Sequence, residues 1–246
     1  MHHSAPGHPE IERIVAPNPG PMTLEGTNTY LYGSGPCAVI DPGPDDAGHL
    51  EKVRAAAEQR DGIGVILLTH GHGDHTDGAP ALAAAAGDPP IVLPGDGEAH
   101  AGLRALATPG HAEDHVVLLT EDRVCFSADL VLGEGSTFVP PDGGSLAAYM
   151  SSLRLLQEQE IELICPGHGP WITDPAAKLA EYVEHREMRE RRLLEALERG
   201  ERSRAALLAE VWDDVPEQLR PAAGMVMDAH LEKLGAEGRL PDGDLD

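Results

Sequence analysis

Four separated pieces of this chain carry seven side chains of the kind that bind divalent metals, and a fold that uses them must bring all four together. They are His70, His72, Asp74 and His75 in THGHGDHTDG, His111 in TPGH, Asp129 in FSAD, and His168 in PGHG. Side chains alternate along extended backbone, so His70 and His72 can point at one metal while Asp74 and His75 turn toward a second. Imidazole and carboxylate suit Zn²⁺, Mn²⁺ or Fe²⁺ better than a thiolate-loving metal, and two such ions about 3.5–4 Å apart can share a hydroxide nucleophile. Hydrolysis is the natural use of such a centre.

The pattern between these pieces predicts strands at 29–33, 37–41 and 65–69 and helices at 45–60 and 79–86. A second round follows, with strands at 91–93, 103–108, 116–120, 124–127 and 161–165 and a helix at 145–158. Strands alternating with amphipathic helices argue for a layered α/β domain. A boundary is expected near Thr173, giving a catalytic domain over 1–173 and a helical domain over 174–246. Asp174 can cap a helix whose first residue is Pro175, with Leu179, Tyr182, Val183, Leu193, Leu194 and Leu197 on one side until Gly200 ends it. Ser203 can cap a second helix over 204–212, Pro216 opens a third running to about Leu234, and GAEGRL at 235–240 reads as a small wing. Four arginines between 185 and 192 alternate with Glu187 and Glu190, so this run reads as a solvated, salt-bridged face.

The sequence HGHGDH at 70–75 matches the HxHxDH signature, and at these residues the chain resembles the metallo-β-lactamase superfamily. The order of GTNTYL at 26–31, VIDPG at 39–43, TPGHAEDH at 108–115, FSADLVLGEG at 126–135 and CPGHGP at 165–170 is similar to that of its β-lactamase-like-protein-2 group. The resemblance implies an αββα sandwich made of two similar halves, each ligand motif following a strand at one edge, and a winged-helix-like tail. It also implies that His70, His72 and His111 hold one metal, that Asp74, His75 and His168 hold the other, and that Asp129 bridges them. Two divalent ions, zinc first and manganese or iron as alternatives, would then carry a bridging hydroxide that Asp74 orients and whose proton it shuttles. As the resemblance implies, true β-lactamases of this fold lack a bridging aspartate, so antibiotic hydrolysis is not expected. His72 stands where the diiron redox branch carries glutamate, which argues against redox chemistry. Only 36 positions separate His75 from His111, where relatives insert longer β structure, so an open active site is expected.

Composition narrows the substrate. Of 246 residues, 42 are acidic and 18 basic, a formal charge of −24 that repels polyanions at long range. A small-molecule acyl substrate, thioester or lactone, is therefore expected ahead of single-strand endoribonuclease activity, which the family resemblance also implies. A metal-stabilised binding protein without turnover is the alternative from another class, and the complete ligand set argues against it. Three cysteines without a CxxC pair fit reduced thiols, MHHSAPGHPE has no apolar h-region, and no apolar run reaches membrane-spanning length. A cytoplasmic protein without membrane partners is expected, and nothing in the sequence sets an oligomeric state.

Individual residues carry weaker expectations. His115 reads as support behind the ligands, and Asp41 as a carboxylate that braces the ligand loop. Asn28 and Thr29 either face the cleft or satisfy the start of a strand. Cys165 reads as a core residue despite its nearness to His168. The remaining isolated histidines, His8, His49, His100, His185 and His230, read as surface or packing residues.

Overall fold

The computed structural model describes residues 3–140, 143–243 and 245–246; Met1 and His2, which open the N-terminal segment read above, lie outside it, as do Pro141, Asp142 and Asp244. The chain forms two compact units. One comprises Met1–Thr108, Asp114–Thr137 and Gln159–Pro175, and the other Pro109–Glu113, Phe138–Glu158 and Ala176–Asp246.

The first unit holds two sheets. Strands β1 (His3–Ala5), β2 (His8–Val15), β3 (Asn28–Tyr32), β4 (Cys37–Ile40), β5 (Ile63–Leu67) and β6 (Ile91–Val92) form a six-stranded sheet in that order. Strands β7 (Ala99–His100), β8 (Leu103–Ala107), β9 (Val116–Leu119), β10 (Val124–Ala128) and β11 (Leu163–Pro166) form a five-stranded sheet ordered β11-β10-β9-β8-β7. Period-two alternation explains how the sheets stack. On β4, Ala38 and Ile40 face a core shared with Leu103, Ala105, Leu118 and Phe126 of the second sheet, while Cys37 and Val39 face the other way. That outer face is covered by α1 (Ala47–Glu58) and α3 (Ala79–Ala85), through Leu50, Val53, Ala56 and Leu82. Asp46 starts α1, its carboxylate accepting from the His49 amide at 2.7 Å.

The second unit is helical. It contains α4 (Leu146–Gln157), nearly all of α5 (Pro175–Glu198), α6 (Arg204–Val211), a 3₁₀ turn (Glu217–Leu219) and α7 (Arg220–Ala236). Leu193, Ala196 and Leu197 of α5 pack with Leu207 and Val211 of α6 and Met227, Leu231 and Leu234 of α7.

Several local expectations change. The hairpin β1–β2 has no counterpart among the expected strands: HPEIERIV buries only Ile11 and Ile14 fully, too sparse a pattern to stand out. Ser203 occupies the N-cap of α6 without a side-chain cap bond, and Glu201 instead accepts from the amides of Arg202 and Ser203. No strand forms among residues 235–240, because α7 runs through Ala236. The arginine run is not uniformly solvated. Arg186 and Arg189 are buried, the first over the Tyr149 ring and the second paired bidentately with Asp214, because their long apolar stems pack inward while the heads find partners. All three cysteines are buried and unbridged, and burial pushes the thiols up. Among the described residues, no helix is long and apolar enough to cross a membrane.

Candidate metal centre

In the sheet unit the expected ligand residues sit just beyond strand ends. His70 follows β5, Asp129 follows β10, and His168 follows β11. The first motif is not extended throughout. His72 is the last extended residue, and Gly73–Thr76 forms a single helical turn, α2, that carries Asp74 and His75. Side-chain alternation therefore governs His70 and His72 only, and a helical turn aims the next pair.

Four of the five candidate imidazoles are oriented through Nδ1. His75 Nδ1 lies 2.9 Å from Asp41 Oδ2. His168 Nδ1 donates to the Gly26 carbonyl at 3.3 Å. Thr69 Oγ1 donates to Asp41 Oδ2 at 2.7 Å, so its lone pair accepts from His70 Nδ1 at 3.0 Å. In the helical unit, His111 Nδ1 donates to the Phe138 carbonyl at 2.7 Å. Anchoring Nδ1 fixes the tautomer and leaves Nε2 as the candidate ligand atom, an arrangement common among metal-binding histidines. Within the sheet unit the Nε2 atoms converge with carboxylates. His75 Nε2 is 3.4 Å from Asp129 Oδ1 and 3.6 Å from Asp74 Oδ2, and His168 Nε2 is 3.3 Å from each of those oxygens. The His70 and His72 rings meet edge to face, with His70 Nε2 3.1 Å from His72 Nδ1.

Six of the seven expected ligands thus gather in one unit. His70, His75 and Asp129 can each offer an atom within 4.8 Å of the others, and so can Asp74, His75 and His168. His111 lies in the other unit, on a turn clamped to the start of α4. Gly110 accepts from the Ser145 amide at 2.8 Å, and Ser152 Oγ donates to the Pro109 carbonyl at 2.7 Å.

The electrostatics describe a donor set in need of positive charge. Burial alone would raise the Asp129 carboxyl, but positive charge on His75 and the neighbouring His168 hold it well below the usual range. Burial opposes charge on His75, yet Asp129 and Asp41 outweigh it and push the imidazole well up. Burial likewise opposes charge on His168, and hydrogen bonds to Asp129 and Asp74 bring it to about 9. Burial would raise Asp74 as well, and His168 and His75 together bring it down instead. His75 Nε2 is fully buried and makes no hydrogen bond within the protein. A divalent cation satisfies that nitrogen and replaces the protons that the carboxylates otherwise draw onto imidazole, so the residues fit such ions.

Asp41 acts as expected. Its Oδ1 accepts from the Thr69 amide at 2.9 Å while Oδ2 holds Thr69 Oγ1 and His75, and its φ of 47° lies in the left-handed region. Ala128, beside Asp129, shares that strain at φ 44°. Asn28 satisfies the strand start, donating to the carbonyls of Pro166 and Gly169, and so tethers the loop that bears His168. His115 Nδ1 meets Thr108 Oγ1 at 2.9 Å, and its ring lies 5.0 Å from that of His70. Sequence reasoning missed Thr69 and Gly167. A Cβ on Gly167 would fall 2.5 Å from Asp129 Oδ1 and 2.9 Å from His75 Cε1, so the backbone itself forms one wall of the centre.

The metallo-beta-lactamase superfamily model matches residues 22–105 and 92–168, and the beta-lactamase associated winged helix domain matches 203–243. The chain belongs to the metallo-beta-lactamase superfamily and is a hydrolase of that α/β fold. It is 35% identical to a beta-lactamase-like protein 2 homolog of Drosophila melanogaster, over 94% of this chain and 89% of that one. An atrochrysone carboxyl ACP thioesterase of Aspergillus chevalieri is 39% identical, over 94% and 83%. Among solved structures, a metallo-beta-lactamase family protein from Thermus thermophilus superposes with a TM-score of 0.78 at 25% identity, covering 97% of each chain. A second structure, in a di-iron-bound form, gives 0.55 at 27% identity over 65% of this chain and 93% of that one.

Proposed function

We propose that this protein is a dinuclear metal-dependent hydrolase of small acyl esters, thioesters or lactones foremost. The observation that carries the reading is the convergence of the His75 and His168 Nε2 atoms on Asp74 and Asp129, with His75 Nε2 buried and without a hydrogen bond. In this reading His70, His72 and His111 hold one ion, Asp74, His75 and His168 the other, and Asp129 serves both. Divalent ions bound there would acidify water and polarise the scissile carbonyl, with zinc first and manganese or iron as alternatives. Asp41 and Thr69 hold the imidazoles in one orientation. Asp74 is the more solvent-facing of the two site carboxylates, its Oδ2 beside His168 Nε2, and in this reading it orients water and accepts its proton.

Two observations favour acyl substrates over RNA. A relative 39% identical is named as an acyl carrier protein thioesterase. The arginines of the helical unit are also largely committed: Arg189 to Asp214, Arg192 to Asp213, Arg199 to Glu210, Arg204 to Asp228, and Arg239 to Glu190 and Glu237. A chain of charge −24 whose cations are so paired presents little to a phosphate backbone. The test is a panel of acyl thioesters, lactones, phosphodiesters and single-stranded RNA with Zn²⁺ or Mn²⁺, alongside elemental analysis. The expected result is about two ions per chain and turnover greatest on thioester or lactone. Faster cleavage of RNA, or full activity at one ion per chain, would overturn the reading.

A further inference from the structure

The loop that presents His168 is buried, and a buried loop must find partners for its own backbone. Each carbonyl from Pro166 to Gly169 has one. Pro166 accepts from the Tyr30 hydroxyl at 2.7 Å and from Asn28 Nδ2 at 2.9 Å, and Gly167 accepts from the Asn28 amide at 2.7 Å. The His168 carbonyl accepts from the Gly133 amide at 2.9 Å. Gly169 accepts twice, from Asn28 Nδ2 at 2.9 Å and from Arg13 Nη1 at 2.8 Å. Three of these side chains share one face of the six-stranded sheet. Arg13 stands directly opposite Tyr30 in the antiparallel pairing of β2 with β3, and Asn28 precedes Tyr30 by one period, so all three point the way Ile11 and Tyr30 point, toward the second sheet.

Arg13 is the member that burial does not explain. Asn28 already satisfies the Gly169 carbonyl, so the arginine is surplus to that need. It is also a costly choice. Its Nε is buried without a hydrogen bond, and among the described residues no carboxylate pairs with it, the adjacent Glu12 being engaged by Arg60. What the guanidinium does meet is the Trp171 ring, 4.8 Å from its centroid, and that ring lies 5.4 Å from Tyr30. A planar guanidinium can donate in its plane and stack through its face at once, so Arg13 grips the chain on both sides of Pro170. The ring of His168 depends on such a grip. Its own anchor, from Nδ1 to the Gly26 carbonyl, is 3.3 Å long and holds it loosely, whereas a ligand must lie within about 0.5 Å of its working position. We propose that Arg13 is a positioning residue of the metal centre, fixing the loop on the C-terminal side of His168 so that the imidazole faces Asp74 and Asp129 before an ion arrives. What His168 then holds rests on the dinuclear reading above. What Arg13 does to the loop rests on the loop contacts alone.

The experiment is a titration of the metal-free, full-length protein with Zn²⁺ against a competing chelator, followed through the ring-nitrogen resonances of ¹⁵N-histidine, which tell the imidazoles engaged by each equivalent. Arg13→Met keeps the apolar stem and removes both contacts. It is expected to weaken the ion at His168 about tenfold or more, the scale of losing a group that orients a ligand. The ion at His70 and His72 should be unaffected. Arg13→Lys, which can still donate to the Gly169 carbonyl, should recover part of the loss. Arg13→Gln leaves a polar tip at this half-buried place but stops short of Gly169, so it should match Arg13→Met and serves if that variant fails to fold. An arginine with a purely structural role would move only the unfolding free energy of the metal-free protein. Metal affinity unchanged in folded Arg13→Met or Arg13→Gln would therefore overturn the proposal, and so would equal weakening of both ions, which marks a general loosening. A parent protein that takes up at most one ion would remove the dinuclear reading instead. The His168 ring signal of metal-free protein then decides the grip by itself. One resonance is expected in the parent and an exchange-broadened or multiple one in Arg13→Met, and a single sharp resonance in both would overturn it.

Discussion

At Asp129 a buried carboxylate is met by two imidazole nitrogens at 3.4 and 3.3 Å, whereas at Arg189 a buried guanidinium meets Asp214 through two hydrogen bonds of 2.6 and 2.8 Å and also donates to the Val211 carbonyl. Both groups are charged and nearly inaccessible. The first is surrounded by groups of the kind that could hold a metal ion, and the second by groups that finish its hydrogen bonding. Burial of charge therefore does not identify function in this molecule. What distinguishes the two places is whether the neighbours complete one another or together require something more.

The strongest way to break the comparison is to exchange the consequences of losing each charge. Asp129→Asn keeps the shape, and activity should fall at least about a hundredfold with reduced metal content, while the metal-free protein melts no earlier than the parent. Activity within twofold of the parent would sink the role assigned to Asp129. Arg189→Ala should do the reverse, lowering unfolding free energy by about 2 kcal/mol through lost charged hydrogen bonds and packing on Trp212, with turnover per folded molecule unchanged. Denaturant titration beside a steady-state assay separates the two.

A smaller effect is expected with pH. His49 is buried in α1 with Nε2 2.9 Å from Thr29 Oγ1, and burial lowers its pKa to about 4. Its folded-state pKa is depressed below the ordinary histidine value, so below about 6.5 the unfolded chain binds more protons. Its stabilising contribution is then complete above that pH and is lost as pH falls toward 4. His49→Gln, which can keep the Thr29 bond without titrating, should show a shallower decline in stability between pH 6.5 and 4; an identical slope would remove His49 from the account. Smallest of all is Glu162→Gln, which deletes an exposed pair with Arg123 and should change stability by less than about 0.5 kcal/mol.

The candidate ligands were legible because hydrolytic metal chemistry needs particular residue types, and HGHGDH, TPGH, FSAD and PGHG carry them openly. The strands were legible where burial on both faces gives continuous apolar runs, as in CAVI and VCFSA. Where the sequence misled, the cause was local. Four arginines within eight residues look solvated, and only the packing of α5 against Tyr149 and Trp212 shows that two of them turn inward. The turn at 73–76 was hidden because one helical turn leaves no periodicity to detect. Thr69 gives no signal because a hydroxyl at a strand end has many uses, and its role depends on Asp41, which lies 28 residues earlier.

Gly167 carries one more consequence. With no room for a single methyl group between its backbone and the side chains of Asp129 and His75, that wall of the centre cannot be decorated. In a saturation library, position 167 would read as intolerant as a ligand although it supplies no ligand atom. Diversification of this scaffold toward new substrates is thereby directed away from this wall, to positions where side chains can still be exchanged.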